Sequence, residues 1–333
     1  MQLQKDRIQL YQNQVFVTDN VEGIVPEFLT MLKGVIDSPD IPLNVSRSYL
    51  QADGNVKKIS SYITRKVADK LKSLFTNNRE DFQNKWNDIK IVLEYGMLTD
   101  EKFYEKAGDF VLYPTTDGQY YTLSELKEAI KANQTDKNDT LVVLYAQNKE
   151  QQYTAIEEAK AKGYQVVLLD SPIVSHLIQK LEEKNEKLTF ARVDAAPLSK
   201  LIQKDEPILA KHSEEEKNTL KTDIEKVLPK EGYMVQIEDL DSDDTPFVIN
   251  QPEFMRRMKE MSATGGGGMF GAFPEMYHVV VNANAPLADA ILAADEAAKE
   301  KLIKQAFDLA RLSQGLLKGK ELSEFVKRNW EIC

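Results

Sequence analysis

The 333-residue sequence predicts a multidomain protein of mixed α/β and α+β class. Three patterns predict it. Two continuous apolar runs, TLVVLYAQ (140–147) and YQVVLLD (164–170), bracket a helical stretch, as parallel strands buried on both faces do. Ahead of them, residues 55–107 repeat apolar side chains at intervals of three and four, the mark of an all-helical block. Behind them, the strand-like runs YMVQIEDL, PFVIN and YHVVVNAN precede two broadly apolar helical patterns. The divisions fall at 1–54, 55–107, 108–205 and 206–333.

Composition narrows the function. Lys and Arg number 43 against 53 Asp and Glu, a net charge of −10. That balance argues against nucleic acid or an anionic membrane as partner, because both need a basic face. No run approaches the roughly 18 apolar residues of a spanning helix. The N-terminus MQLQKDRIQLYQNQVFV has no signal-peptide core. The sole cysteine is Cys333. A disulfide framework, a thiolate zinc site and a buried cysteine nucleophile are excluded, and a reducing cytoplasm is the expected home.

Residues 1–54 read as strand, turn, helix and extended segment. The strand VFVTD (15–19) arrives with nothing ahead to cover its faces, as expected of a piece cut from a longer protein. Pro26 opens a short helix, EFLTMLK, and Gly34 closes it. Pro42 and Leu43 are extended, Asn44 caps, and a helix starts at Val45. Arg47 then falls in a first turn, where the macrodipole disfavours a cation. It is either a surface ion-pair residue or there for an anion elsewhere.

In the helical block, Val56, Ile59, Ile63, Val67, Leu71 and Leu74 form one stripe. Phe82, Trp86, Ile89 and Leu93 form a second, stopping before Gly96, and a third short helix covers about 100–106. Thr122 with Glu125 is a capping box for LSELKEAIKAN. The helix EQQYTAIEEAKAKG ends at Gly163. Ser213 with Glu216 is a second capping box. A Met-rich helix (252–262) and the tetrad Gly265–Gly268 separate the last two strands. Two helices, about 295–314 and 320–331, close the chain around Gly315.

No stretch carries a self-sufficient catalytic site. The turn AQNKEQQ lacks the glycines of a dinucleotide fingerprint. TGGGGMFG (264–271) lacks the Lys-Ser/Thr of a phosphate loop. EDLDSDDT fails as a calcium loop, with Asp244 at position six and Asn250 at position twelve, and reads as solvated loop acid. Asp170, Ser171 and His176 suggest a triad, but helix capping by Ser171 or Ser175 explains them better. His212 and His278 are isolated, and no metal set is spaced for ligation. An enzyme built on the βαβ unit around Tyr145–Asp170 is therefore the weaker alternative.

Two features point to partners instead. In QPEFMRRMKEMSA, Phe254, Met255, Met258 and Met261 form a stripe, and the interspersed Arg256, Arg257 and Lys259 suggest a surface helix. Methionine suits surfaces that accept many partners. In the terminal helices Leu302, Ala306, Leu309, Ala310, Leu322, Phe325 and Val326 cover more than one stripe. Pairing about a two-fold axis would bury them in a four-helix bundle, giving a homodimer. A purely structural dimerisation scaffold is the reading without client binding.

The run VFVTDNVEGIVPEFLTMLKGVIDSPDIPLNVSRSYLQ (15–51) resembles the heat-shock protein 90 chaperone family in its bacterial HtpG form. LYAQNKEQQYTAIEEAKAKGYQVVLLDSPI resembles the family's smaller middle-domain α/β layer. VVVNANAPLADAIL (279–292) and FDLARLSQG (307–315) resemble its C-terminal strand–helix and dimerisation helix. The resemblance runs end to end and covers the later middle domain and the C-terminal dimerisation domain, without the nucleotide-binding domain. It implies the end of a first α/β layer, a helical coil, a small α/β/α layer and a dimerisation domain ending in a helix pair.

The same resemblance implies roles. Arg47 would reach the γ-phosphate of ATP held, with Mg, by the N-terminal domain, and Gln51 would help form that catalytic loop. This is the arginine-finger chemistry of phosphoryl transfer. The chain alone would hold no cofactor and would not act as an enzyme. Phe254, Met258 and Met261 would contact unfolded or partly folded clients, and Met255 of the same stripe joins them as a client-contact candidate. Ser48 stands where the family usually has glutamate, and the chain ends without the acidic co-chaperone peptide, as in bacterial members.

Overall fold

A computed structural model describes residues 8–19, 21, 23–30, 32–39, 54–206, 208–252, 254–259 and 276–330, with 54–56 described by backbone alone. The protein is mixed α/β, as predicted, and divides into two compact units. One comprises Met1–Pro114, Gly118–Glu128 and Ser171–Leu181; the other comprises Thr115–Asp117, Ala129–Asp170 and Glu182–Cys333.

The first unit begins with a three-stranded sheet of order β2-β1-β3: β1 (Ile8–Gln12), β2 (Val15–Thr18) and β3 (Gly34–Asp37). β2 is antiparallel to β1, and β3 is parallel to it. Asn13 and Gln14 both have positive φ, 48° and 65°, the primed two-residue turn whose twist suits a hairpin. The Gln14 amide donates to Asp37 Oδ2 at 3.0 Å, tying turn to third strand. The strand at 15–18 pairs edge to edge with the preceding IQLYQ, whose apolar and polar side chains alternate, while Val15 and Phe16 stay exposed. One expectation is corrected here. Gly34 opens β3 rather than closing a helix, and Glu27–Leu29 form a 3-10 turn that buries Phe28 and Leu29.

The helical block holds α1 (Gly54–Asn77), α2 (Arg79–Asn84), α3 (Trp86–Thr99) and α4 (Glu101–Ala107). Its breaks are caps. Asn78 accepts the Asp81 amide, and Asp100 accepts the Phe103 amide. Asp100 also receives the Thr64 hydroxyl at 2.8 Å, joining α4 to α1. The predicted Phe82–Leu93 helix divides at Lys85. Gly96 does not stop α3, which runs on to Thr99. It sits against the Phe103 and Phe28 rings, which are tilted at 41° to each other with centroids 4.6 Å apart. A short hairpin follows, β4 (Tyr113–Pro114) with β5 (Tyr120–Tyr121).

α5 (Leu123–Gln134) starts at the predicted capping box. The Thr122 amide donates to Glu125 Oε2 at 2.8 Å, and the Glu125 amide donates back to Thr122 Oγ1 at 3.4 Å. In the second unit, β6 (Leu141–Ala146), β7 (Val166–Leu168) and β8 (Leu188–Arg192) make a wholly parallel sheet of order β7-β6-β8. In sequence, α6 (Tyr153–Ala161) lies between β6 and β7, α7 (Val174–Lys184), whose residues up to Leu181 belong to the first unit, lies between β7 and β8, and α8 (Leu198–Leu201) follows. Ile156 and Ala159 of α6 pack on Val142, Leu144 and Ala146. Gly163 ends the turn after α6 at φ +76°, as predicted.

The rest of the second unit opens with α9 (Glu214–Val227) and its Ser213–Glu216 capping box. β9 (Tyr233–Glu238), β10 (Phe247–Asn250) and β11 (Tyr277–Asn282) form a sheet of order β10-β11-β9. α10 (Pro286–Ala293), α11 (Glu296–Ser313) and α12 (Gly319–Trp330) complete it. The core joins Leu220 and Ile224 of α9, Val279 and Val281 of β11, Ile291 of α10, and Ile303 and Phe307 of α11.

Candidate functional site

Residues 254–259 form a short helix between β10 and β11. Its amphipathicity is inverted. Arg256 is buried and donates from Nη2 to the Tyr145 hydroxyl at 2.7 Å. Arg257 Nη1 donates to Glu182 Oε2 at 2.7 Å, and its Nη2 donates to the Phe190 carbonyl at 2.8 Å. Phe254 is 71% exposed, Met255 is exposed and Met258 is half-buried. The sequence expectation took the arginines as marks of the solvent face. They are the inward anchors: the buried Arg256 donates to a hydroxyl, and the half-buried Arg257 donates to a carboxylate and a carbonyl, so both guanidiniums face away from solvent with acceptors for their N–H groups. Met261 lies outside the described residues.

Tyr145 and Glu182 were not among the expected site residues. They come from 111 and 75 residues earlier in the chain, and no local spacing announces them. Tyr145 sits on β6, on the face opposite Leu144 and Ala146. Glu182 sits on the last turn of α7, where it also accepts the Phe190 amide at 2.7 Å and the Thr189 hydroxyl at 3.1 Å.

The terminal helices present a second surface. The seven residues expected to pair fall into two sets. Ala306, Ala310 and Phe325 are buried within the chain, and Leu302 packs half-buried against the core of α9, β11 and α10. Leu322 is half-buried, while Leu309 and Val326 are exposed, together with Leu312 and, at 73%, Trp330. Polar bonds hold α11 to α12. Arg311 Nη1 donates to Glu321 Oε1 at 3.1 Å, Arg328 Nη2 to Asp308 Oδ2 at 2.7 Å, and Gln305 Nε2 to Asn329 Oδ1 at 2.9 Å.

The βα turn after β6 offers no phosphate cradle. The amides of Gln147 and Asn148 donate to Gln152 Oε1, and those of Glu150 and Gln151 to Asn148 Oδ1. Four donors that a pyrophosphate would need are already taken. Among the described residues, no group of three or more His, Cys, Asp or Glu side chains could hold a metal ion. No described helix is long and apolar enough to cross a membrane.

Two local expectations need correction. Ser171 Oγ is buried without a hydrogen-bond partner and Ser175 falls inside α7, so neither caps that helix. Asp244 is not solvated loop acid. It is buried, accepts from Lys162 Nζ at 2.6 Å, and also takes the Ser199 amide at 3.2 Å. Arg47 and Gln51 lie outside the described residues.

The family model described as Hsp90 protein matches residues 1–329. A chaperone protein HtpG of Bacteroides fragilis (strain 638R) is 41% identical over 399 residues, covering 99% of this chain and 59% of the relative. The HtpG of Bacteroides thetaiotaomicron is also 41% identical, covering 100% of this chain and 59% of the relative. That of Porphyromonas gingivalis (strain ATCC 33277) is 48% identical over 304 residues, 90% of this chain and 44% of the relative. The chain thus spans 59% of the length of the Bacteroides relatives it matches. With a family model matched over nearly its whole length and relatives this similar, the chain belongs to the Hsp90 family.

Proposed function

We propose that this chain is the client-holding and dimerising part of an Hsp90-type chaperone. The observation that carries the reading is the inverted helix at 254–259, which turns the buried Arg256 and the half-buried Arg257 inward and faces Phe254 and Met255 outward. An exposed phenylalanine beside flexible thioethers suits apolar segments of many sequences. Phe254, Met255, Met258 and Met261 are the client contacts in this reading. Clients are unfolded or partly folded proteins, and the working form is a homodimer in the cytoplasm.

In the same reading, Arg47 acts on ATP and its Mg ion bound outside residues 1–333, with Gln51 in the same loop. The arginine would stabilise charge on the transferring phosphoryl group. The chain alone would then turn over no ATP. Its layering is the end of a middle-domain α/β layer, a helical coil, a small α/β/α layer, and a C-terminal domain whose last two helices pair in a four-helix bundle.

The test is suppression of light scattering by heat-aggregating citrate synthase. Met258→Glu should weaken holding without shifting the thermal midpoint, because Met258 is only half-buried. Unchanged holding by that variant would remove the helix from the reading. ATP turnover by the chain, abolished by Arg47→Ala, would overturn the placement of the nucleotide outside it.

A further inference from the structure

The helical residues 254–259 draw most of their stability from tertiary packing rather than from propensity. The 254–259 helix therefore takes its orientation from what it touches. At about 100° per residue, Phe254, Met255 and Met258 share one side, and Arg256 and Arg257 share the opposite side. Left to hydrophobic burial alone, the helix would roll to put Phe254 inside. Rolling would strip the Tyr145 hydroxyl and the Glu182 carboxylate of their cationic donors. It would also drag a buried guanidinium away from its partners, which is costly.

The receiving groups are themselves fixed. Glu182 is held by the Phe190 amide and the Thr189 hydroxyl. The Phe190 carbonyl that takes Arg257 belongs to β8, and Tyr145 is a fully buried residue of the adjacent β6. Both arginines thus reach one rigid sheet at two places, and two anchors on one helix set rotation as well as position.

We propose that Arg256 and Arg257 are positioning residues that pin the 254–259 helix polar-side-in on the β6–β8 sheet, so that Phe254 and Met255 stay presented to apolar segments of a client. The proposal rests on the client-holding reading above. It assigns the α/β layer a direct part in that reading: Tyr145 and Glu182 decide which way the client-contact side chains face.

The experiment uses the 333-residue chain and the variants Arg257→Ala, Arg257→Lys, Tyr145→Phe and Phe254→Ser. Deuterium uptake over 254–259, citrate synthase light scattering and the thermal midpoint are read together. Arg257→Ala and Tyr145→Phe should each speed exchange of these amides by about tenfold, the effect of losing a hydrogen bond to a charged group. Both should lower holding toward the level of Phe254→Ser, with the midpoint unmoved. Arg257→Lys keeps a charge facing Glu182 and should recover most of the protection and holding.

Unchanged exchange in both Arg257→Ala and Tyr145→Phe would overturn the pinning. Faster exchange with full holding, while Phe254→Ser abolishes it, would overturn the presentation. If Phe254→Ser leaves holding intact, the client reading fails, and exchange still decides the pinning on its own. Tyr145→Phe removes one hydroxyl and keeps the ring, so it carries the test if Arg257→Ala does not fold.

Discussion

The Arg79 guanidinium grips the Glu125 carboxylate with two hydrogen bonds of 2.6 Å, across 46 residues of sequence. The same Arg79 donates to the Tyr120 carbonyl at 2.9 Å, and the same Glu125 accepts the Thr122 amide of its own capping box. One carboxylate thus starts α5 and ties it to α2. A bidentate pair fixes direction as well as distance.

That arrangement makes α5 acid-sensitive. The Arg79 hydrogen bonds, and then the Thr122 amide, hold the Glu125 carboxyl at about 2, below its ordinary 4.5, against the opposing effect of burial. The fold favours the charged form, so its contribution is complete above about 4.5 and disappears as pH falls through about 2. Water reaches both side chains, which limits the worth of the pair and cap together to about 1 kcal/mol. Urea midpoints should place Glu125→Gln below the parent by that amount at pH 7, with the gap closing toward pH 2. A constant gap across that range would remove the carboxylate's charge as its source.

Gly96 predicts a steric effect of opposite sign to helix propensity. Alanine at an exposed helix position would gain about 1 kcal/mol. A Cβ here would lie 2.8 and 2.9 Å from Phe103 ring carbons and 2.9 Å from Phe28 Cδ2. Overpacking of that kind costs about 1–3 kcal/mol, so Gly96→Ala should lower the thermal midpoint. Gly108, with open space around its would-be Cβ, is the control: Gly108→Ala should leave the midpoint unchanged or raise it.

These residues also mark what could be read from sequence. The capping boxes at Thr122 and Ser213 were legible because both partners lie three residues apart on one turn. β6 and β7 were legible because a parallel strand buried on both faces is an unbroken apolar run. Gly96 was read as a helix stop, since its reason for being glycine is two rings brought in from other elements. β3 was missed because its four residues, GVID, carry too short a pattern to set a period. The direction of the 254–259 helix was legible as amphipathic but not as inverted. Which face is inner depends on Tyr145 and Glu182, and no spacing within the helix encodes them.

Asp244 joins two parts of the second unit, and its removal should be severe. Its side chain is 3% exposed, and it takes Lys162 at 2.6 Å and the Ser199 amide at 3.2 Å. Burial opposes the Lys162 ammonium, but bonds to Asp244 and then Asp241 outweigh it and raise its pKa. Asp244→Ala leaves that cation half-compensated, at a cost of about 3 kcal/mol. Asp241, whose side chain is 52% exposed, is the contrast: Asp241→Ala should stay within about 0.5 kcal/mol. Urea unfolding of both variants ranks them, and equal effects would dissolve the distinction.

The exposed apolar residues of α11 and α12 predict a change in mass. Leu309 and Val326 stand out of a helix pair whose inner residues, Ala306 and Phe325, are already covered. In a two-fold pairing each exposed side chain is buried twice, once per subunit. At about 1 kcal/mol for the half of each side chain still exposed, Leu309 and Val326 together contribute about 4 kcal/mol to a symmetric interface. The double variant Leu309→Asp, Val326→Asp should therefore fall from twice 37.9 kDa to 37.9 kDa in light scattering at micromolar concentration, with helicity unchanged. Ala306→Asp should behave differently, unfolding the second unit's core instead of only separating chains. A parent chain of 37.9 kDa would end the pairing reading and leave Leu309 and Val326 as ordinary surface apolar residues.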